Sequence, residues 1–448
     1  MKNIKLSFKM LKQRMLIFAM ILIALLFPEQ VYSEGQVGLR ALITAIGVDK
    51  IEQGYEVSAQ IFTPSRQPTS KKDIISERGP TVGSIMEALI IKTGRLGIEN
   101  TCALIIFGPE LAKDNVMETI DYFLRKNIIS WSAVVAIGEK SALETLKGLN
   151  KLEERSPIDW SDFLSISEKG FDRAPLDLRH FAKGIYGLTN TAHTVVIGIE
   201  ETEDEQSQNS GGQSGSGGGQ GGEEEQSSQT AKLNGFDSVY TQSGGGNKEP
   251  ESSGTASADK KSLKGQAPQI KMNGKTAVFV KGKQVLELNK EQTEGYNWID
   301  NKAQYHHFMI EGLGGYYFGD AKLTIQVTNK KCKIKSKFDN KPEITFNISS
   351  KMALAEVMRD QIPLIVGKDD TGALSKKLVD EVQKYIKDRV LDAYYTAAEK
   401  GADIFNLVPH FYKFHTKQYN SYMTGGRTMK DLLHDIDIKF KFKIEIEV

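Results

Sequence analysis

Seven histidines, two cysteines and 57 carboxylates are the groups in this sequence that could ligate a metal or attack a substrate. Zinc chemistry needs imidazoles or thiolates at fixed spacing, and neither H-E-x-x-H nor C-x-x-C occurs. His410 and His415 are five residues apart, on different faces of a helix, and a strand would point the neighbours His306 and His307 in opposite directions. All seven histidines therefore read as ordinary buried or surface residues. Residues 212–216 (GQSGS) miss the G-x-S-x-G elbow, and residues 312–319 (GLGGYYFG) match neither phosphate-binding glycine pattern. Cys102 sits in an apolar run, which hides a thiol and raises its pKa. No pair of carboxylates is singled out by its context. The sequence assigns no catalytic, cofactor-binding or metal-binding residue, calls for no cofactor, and argues against an enzyme.

The basic residues carry one periodic signal. Lys331, Lys333, Lys335 and Lys337 alternate along a strand and share one face, with Lys330 just before them. Such a face suits anionic lipid headgroups, at about 1 kcal/mol per lysine near a membrane surface. The plainer and favoured reading is a solvated sheet edge that lysines guard against pairing. The overall balance of +1 calls for no nucleic-acid partner, and no basic–aromatic stripe is present. Cys102 and Cys332 are too few for a disulfide scaffold and read as small hydrophobes, a single bridge between them being left open.

The N-terminus is an export signal by its pattern. Lys2, Lys5, Lys9, Lys12 and Arg14 precede 13 residues, 15–27, without a charged or polar side chain, and Pro28 ends the run before Val31-Tyr32-Ser33. Thirteen residues make a helix of about 20 Å, short of the roughly 30 Å hydrocarbon core. Residues 1–33 are therefore expected to be a secretory signal peptide, an N-terminal anchor being the rival reading.

The elements that would position any site follow from hydrophobic period. Strands are expected over 41–48 (ALITAIGV) and 55–62 (YEVSAQIF), joined by a turn at 49–54 (DKIEQG). A helix follows near 84–93. Residues 101–107 (TCALIIF) form a continuous apolar run, which suits a parallel strand covered on both faces. Gly108-Pro109 opens a helix whose inward stripe is Leu111, Val116, Ile120, Phe123 and Leu124. Residues 133–137 are a strand, Ser141-x-x-Glu144 caps a further helix, 178–186 are helical, and 193–199 close the region as a strand. Strands alternating with helices predict a mixed α/β domain over 34–199.

Composition changes at Glu200. Residues 200–259 hold twelve acids against Lys232 and Lys248, a net of −10, in Gly, Ser and Gln. Such a segment cannot bury enough apolar surface to offset its ordering entropy, so 200–267 is expected to be a disordered acidic linker. Structure resumes in a C-terminal α/β region, 268–448, divisible into about 268–350 and 351–448. Residues 276–280 and 284–288 flank Lys281-Gly282-Lys283 as a hairpin. Strands at 323–327, 332–337 and 343–349 precede a helix over 374–400, with Leu378, Val382, Ile386, Val390, Ala393 and Ala397 on one face and Gly401 past its end. The last residues, 436–448, alternate Ile, Phe and Val with charges, as a strand with one dry and one wet face does.

The order of these motifs resembles the Ger(x)C family of spore germination proteins, the C-subunits of germinant receptors. The resemblance runs through 42–49 (LITAIGVD), 54–61 (GYEVSAQI), 84–89 (SIMEAL), 100–112 (NTCALIIFGPELA) and 121–126 (DYFLRK). It continues through 274–288 (GKTAVFVKGKQVLEL), Gly295-Tyr296-Asn297-Trp298, 400–405 (KGADIF), Pro409 and the final strand. Each motif is diffuse, and their order and spacing carry the likeness. It implies an α+β, mixed α/β architecture of several small domains, each with a mixed or antiparallel sheet covered by helices. It also implies a non-catalytic extracytoplasmic subunit beside two integral-membrane receptor subunits, the A- and B-types. Such a subunit contributes to nutrient-triggered germination from the outer face of the cytoplasmic, inner spore membrane, peripherally or anchored by its N-terminal segment. Family members carry a lipidated cysteine after the signal, and no cysteine stands near Ser33. The alternative is an exported module that binds a ligand or envelope polymer outside any receptor.

Overall fold

The computed structural model describes residues 15–18, 20, 40–62, 72–93, 96–98, 101–126, 129–155, 170–171, 174–200, 269–271, 274–311, 321–359, 362–363 and 371–447. The expected signal peptide, but for residues 15–18 and 20, and the expected acidic linker, but for Glu200, lie outside these residues. Among the described residues, no helix is long and apolar enough to cross a membrane.

The first sheet is built from β1 (Arg40–Ile51), β2 (Gly54–Phe62), β3 (Lys72–Gly79), β4 (Leu96–Ile98), β5 (Leu104–Phe107), β6 (Val134–Gly138), β7 (Leu176–Asp177), β8 (Thr191–Glu200), β9 (Gln269–Lys271), β10 (Thr276–Val280) and β11 (Lys283–Leu288). Its main order is β11-β10-β8-β6-β5-β1-β2-β3. The centre, β1-β5-β6-β8, is parallel, β4 also lies parallel to β1, and the other pairs are antiparallel. Helices cover both faces, which is why the central strands are apolar at successive positions. On one face, Ile105, Phe107, Val135 and Ile137 pack against α1 (Val82–Thr93), α2 (Pro109–Asp114), α3 (Met117–Lys126) and α5 (Leu178–Ile185). On the other, Leu104, Ile106 and Ala136 meet Ala142, Leu146 and Leu149 of α4 (Ala142–Arg155).

The single helix expected after Gly108 is two, because Asn115 is extended at the break, where its side chain accepts from Met117 N at 2.9 Å. The break receives the β10–β11 turn. Lys281 and Gly282 both have positive φ, as a tight hairpin of this hand requires, and Gly282 O accepts from Val116 N at 2.9 Å. A β-carbon on Gly282 would stand 2.4 Å from Met117 Cγ. The hairpin that follows residues 200–267 thus completes the first sheet, with β10 antiparallel to β8. Two short alternating strands carry no address in their own sequence, and only the pairing reveals where they belong.

The second sheet holds β12 (His306–Glu311), β13 (Lys322–Phe338), β14 (Pro342–Arg359), β15 (Ile362–Pro363) and β16 (Asp437–Glu447), in the order β12-β13-β14-β15 with β16 on β14. The two strands expected at 323–327 and 332–337 are one strand of 17 residues, interrupted by a register shift between Val327 and Asn329. Its partner β14 is 18 residues long and runs through position 350, where a subdomain border was expected. The C-terminal strand lies parallel to β14, so this sheet is mixed. The apolar side packs on α6 (Lys290–Ile299), α7 (Thr371–Glu399), α8 (Leu407–Phe414), α9 (Thr416–Thr424) and α10 (Met429–Asp435). The six stripe residues of α7 are buried, and Gly401 ends it at φ +70°.

Candidate functional site: buried carboxylates and a lysine-faced sheet

The buried ionisable groups are tied to the backbone or to one another. Asp49, near the C-terminal end of β1, accepts from Ala142 N at 2.8 Å and Leu143 N at 3.1 Å, so it caps α4 from 93 residues away. Burial pushes its pKa up, against the pull of those two N–H groups. Asp403 repeats the device, accepting from Leu407 N and Val408 N at 2.8 Å each at the start of α8. Burial raises it to about 6. Its own N–H donates to Thr191 Oγ1 of β8 at 3.2 Å, which ties the second sheet's helices to the first sheet. Lys330 is buried, on the opposite side of β13 from its lysine neighbours, and donates to Asn297 O at 2.5 Å and to Asp300 O. Burial pushes its pKa down to about 8.

Glu294 of α6 accepts from Trp298 Nε1 at 3.3 Å and from the Tyr385 hydroxyl at 2.9 Å. His306 Nε2 lies 3.0 Å from Glu294 Oε1. Burial pushes the Glu294 carboxyl up, but His306, Tyr385 and Arg389 together outweigh it and hold the group below its ordinary range. Phe171 stacks on His306 at 4.7 Å, and its carbonyl accepts from Asn297 at 2.8 Å. This cluster joins Phe171, from the N-terminal half of the chain, to α6, β12 and α7 of the C-terminal half.

His193 is buried against Tyr296, with ring centroids 4.4 Å apart, and burial lowers its pKa to about 3. Cys102 and Cys332 are buried thiols in different cores, with no disulfide between them, and burial raises the Cys332 thiol to about 12. His306 faces inward and His307 outward, and His410 and His415 stand on α8 and at the junction of α8 with α9. Among the described residues, no group of three or more His, Cys, Asp and Glu side chains could hold a metal ion. A shallow open cleft of about 570 Å³ beside the β13–β14 turn is lined by Asp339, Lys417, Tyr422 and Arg427.

The alternating lysines of β13 belong to a larger surface. The pairing register sets Lys331–Ser349–Lys443, Lys333–Asn347–Lys441 and Lys335–Thr345–Lys439 in three successive rows across β13, β14 and β16, followed by Lys337–Glu343–Asp437. Two lysine columns therefore flank a column of small polar residues, about 10 Å apart, with about 7 Å between rows. All seven lysines are exposed, while Ile344, Phe346 and Ile348 face the core beneath. Lys439 pairs with Glu343 at 2.5 Å, Lys443 with Glu445 at 3.6 Å and Lys337 with Asp339 at 2.8 Å. Lys331, Lys333, Lys335 and Lys441 have no carboxylate partner among the described residues. Sequence periodicity found the first column. The second was visible only as wet-face charges, because β14 alone sets its alignment a hundred residues away.

Helices thus cover two sheets, the buried carboxylates Asp49 and Asp403 cap helix starts, and one sheet face is cationic. A family model described as "Spore germination protein N-terminal domain" matches residues 37–199, and one described as "Spore germination B3/ GerAC like, C-terminal" matches residues 274–447. The chain belongs to the Ger(x)C family of spore germination proteins, the germinant receptor C-subunits. A crystal structure of the GerBC protein is similar at 14% identity, covering 90% of this chain and 96% of that one, with a TM-score of 0.48. No curated protein sequence matches.

Proposed function

We propose that the chain is an extracytoplasmic subunit of a spore germinant receptor complex, acting through protein contacts and without chemistry of its own. The reading is carried by the two family matches, which lie in order on either side of the acidic insert and together take in most of the chain. The positions that carry the family resemblance support it, because their roles in this structure are architectural. Asp49 and Gly108 form a helix cap, Gly295 admits a neighbouring helix, and Asp403 joins α8 to β8. The N-terminal basic and apolar segment delivers the protein to the outer face of the cytoplasmic membrane, and its partners there are integral-membrane receptor subunits.

A clean deletion in the spore-forming host tests the function. Nutrient-triggered germination should be slowed or abolished while spore yield is unchanged, and a normal nutrient response would refute the reading. The mass of the mature N-terminus decides between a cleaved signal and a retained anchor.

A further inference from the structure

We infer that the lysine-faced side of β13, β14 and β16 docks flat on the headgroups of an anionic phospholipid bilayer. In the four paired rows, seven lysines stand against two carboxylates, Glu343 and Asp437. Four of the seven, Lys331, Lys333, Lys335 and Lys441, have no carboxylate partner among the described residues. Strand geometry holds them in a near-planar lattice, so they meet a flat charged surface together, where a loop cluster would meet it one at a time.

The chemistry of the face selects a membrane over a protein. Protein interfaces concentrate Tyr, Trp and Arg at a dry centre and are depleted in lysine. Here the centre is Thr345, Asn347 and Ser349, and every positive charge is a lysine. Asn347 and Ser349 turn their polar atoms to the carbonyls of Lys333 and Lys331, so the middle column offers little to a specific partner. Lysines on flexible stems give headgroup attraction without sequence readout.

The inference concerns the membrane and not the receptor, so its failure would leave the proposed function standing. The test is co-sedimentation of the full chain with vesicles of phosphatidylcholine alone and of phosphatidylcholine with phosphatidylglycerol. The N-terminal segment, whose five basic residues also favour anionic vesicles, is the same in every protein compared, so the change in the anionic increment between wild type and variant is the signal. Wild type should show that increment and lose it at high salt. A variant carrying K331Q, K333Q, K335Q and K441Q should lose at least roughly a hundredfold of it, since each lysine contributes about fivefold. A control with K376Q, K377Q, K384Q and K387Q on exposed positions of α7 should keep it, and all three should melt alike. An increment retained in the first variant, or absent in wild type, would overturn the inference. Absence in wild type, with loss of co-purifying protein in the variant, would assign the face to a protein partner.

Discussion

A β-carbon on Gly108 would stand 1.9 Å from Asp49 Oδ1, so the residue that opens α2 has no side chain because the carboxylate capping α4 occupies that space. The two positions lie in separate sequence motifs and form one device at the ends of adjacent parallel strands. Asp49→Ala should cost about 1–2 kcal/mol as a lost cap. Gly108→Ala should cost about 1–3 kcal/mol by forcing the carboxylate aside. The second substitution should become nearly silent in the background of the first, which a double-mutant cycle read by urea midpoints would reveal. Strict additivity would show that the carboxylate and the glycine are unconnected.

Gly295 does the same work between helices. Its β-carbon would meet Arg389 O at 2.1 Å, and a helix backbone has no flexible end to move aside. Gly295→Ala should therefore destabilise by more than about 2 kcal/mol, despite the gain in helix propensity that alanine brings elsewhere. A neutral or stabilised variant by thermal melting would contradict the packing of α6 on α7.

Two buried groups pull stability in opposite directions with pH. Asp403 is raised from 3.8 to about 6, so between those values the folded state holds the proton more tightly, and its contribution falls as pH rises. His193 is lowered from 6.5 to about 3, so the folded state binds fewer protons there, and its contribution rises with pH from about 3 to 6.5. Each slope approaches about 1.4 kcal/mol per pH unit at most. The stability of wild type minus that of His193→Phe should increase with pH across this range, and that of wild type minus Asp403→Asn should decrease. Parallel curves would show that the two groups are not buried as described.

Much of the scaffold was legible because its signals are local. The unbroken run ending at Phe107 predicted a strand covered on both faces, and β5 lies between β1 and β6. The stripe from Leu378 to Ala397 is the buried face of α7. What escaped depends on distant partners. β3, with Asp73 and Glu77, reads as polar because it is an edge strand, and the three short helices α8 to α10 repeat too briefly for a period to show. The lysine face needed a register: Lys333 and Lys441 share a row only because Asn347 lies between them. The buried roles of Asp49, Asp403 and Glu294 had no signal beyond their residue type, since a carboxylate in a motif looks the same whether it caps a helix or meets solvent.

The most direct test of the receptor assignment is affinity purification of the full chain from solubilised spore membranes. Multi-spanning membrane subunits should co-elute in a fixed ratio and be lost together from deletion spores. Recovery of the chain alone, from spores that respond fully to nutrients, would contradict the account.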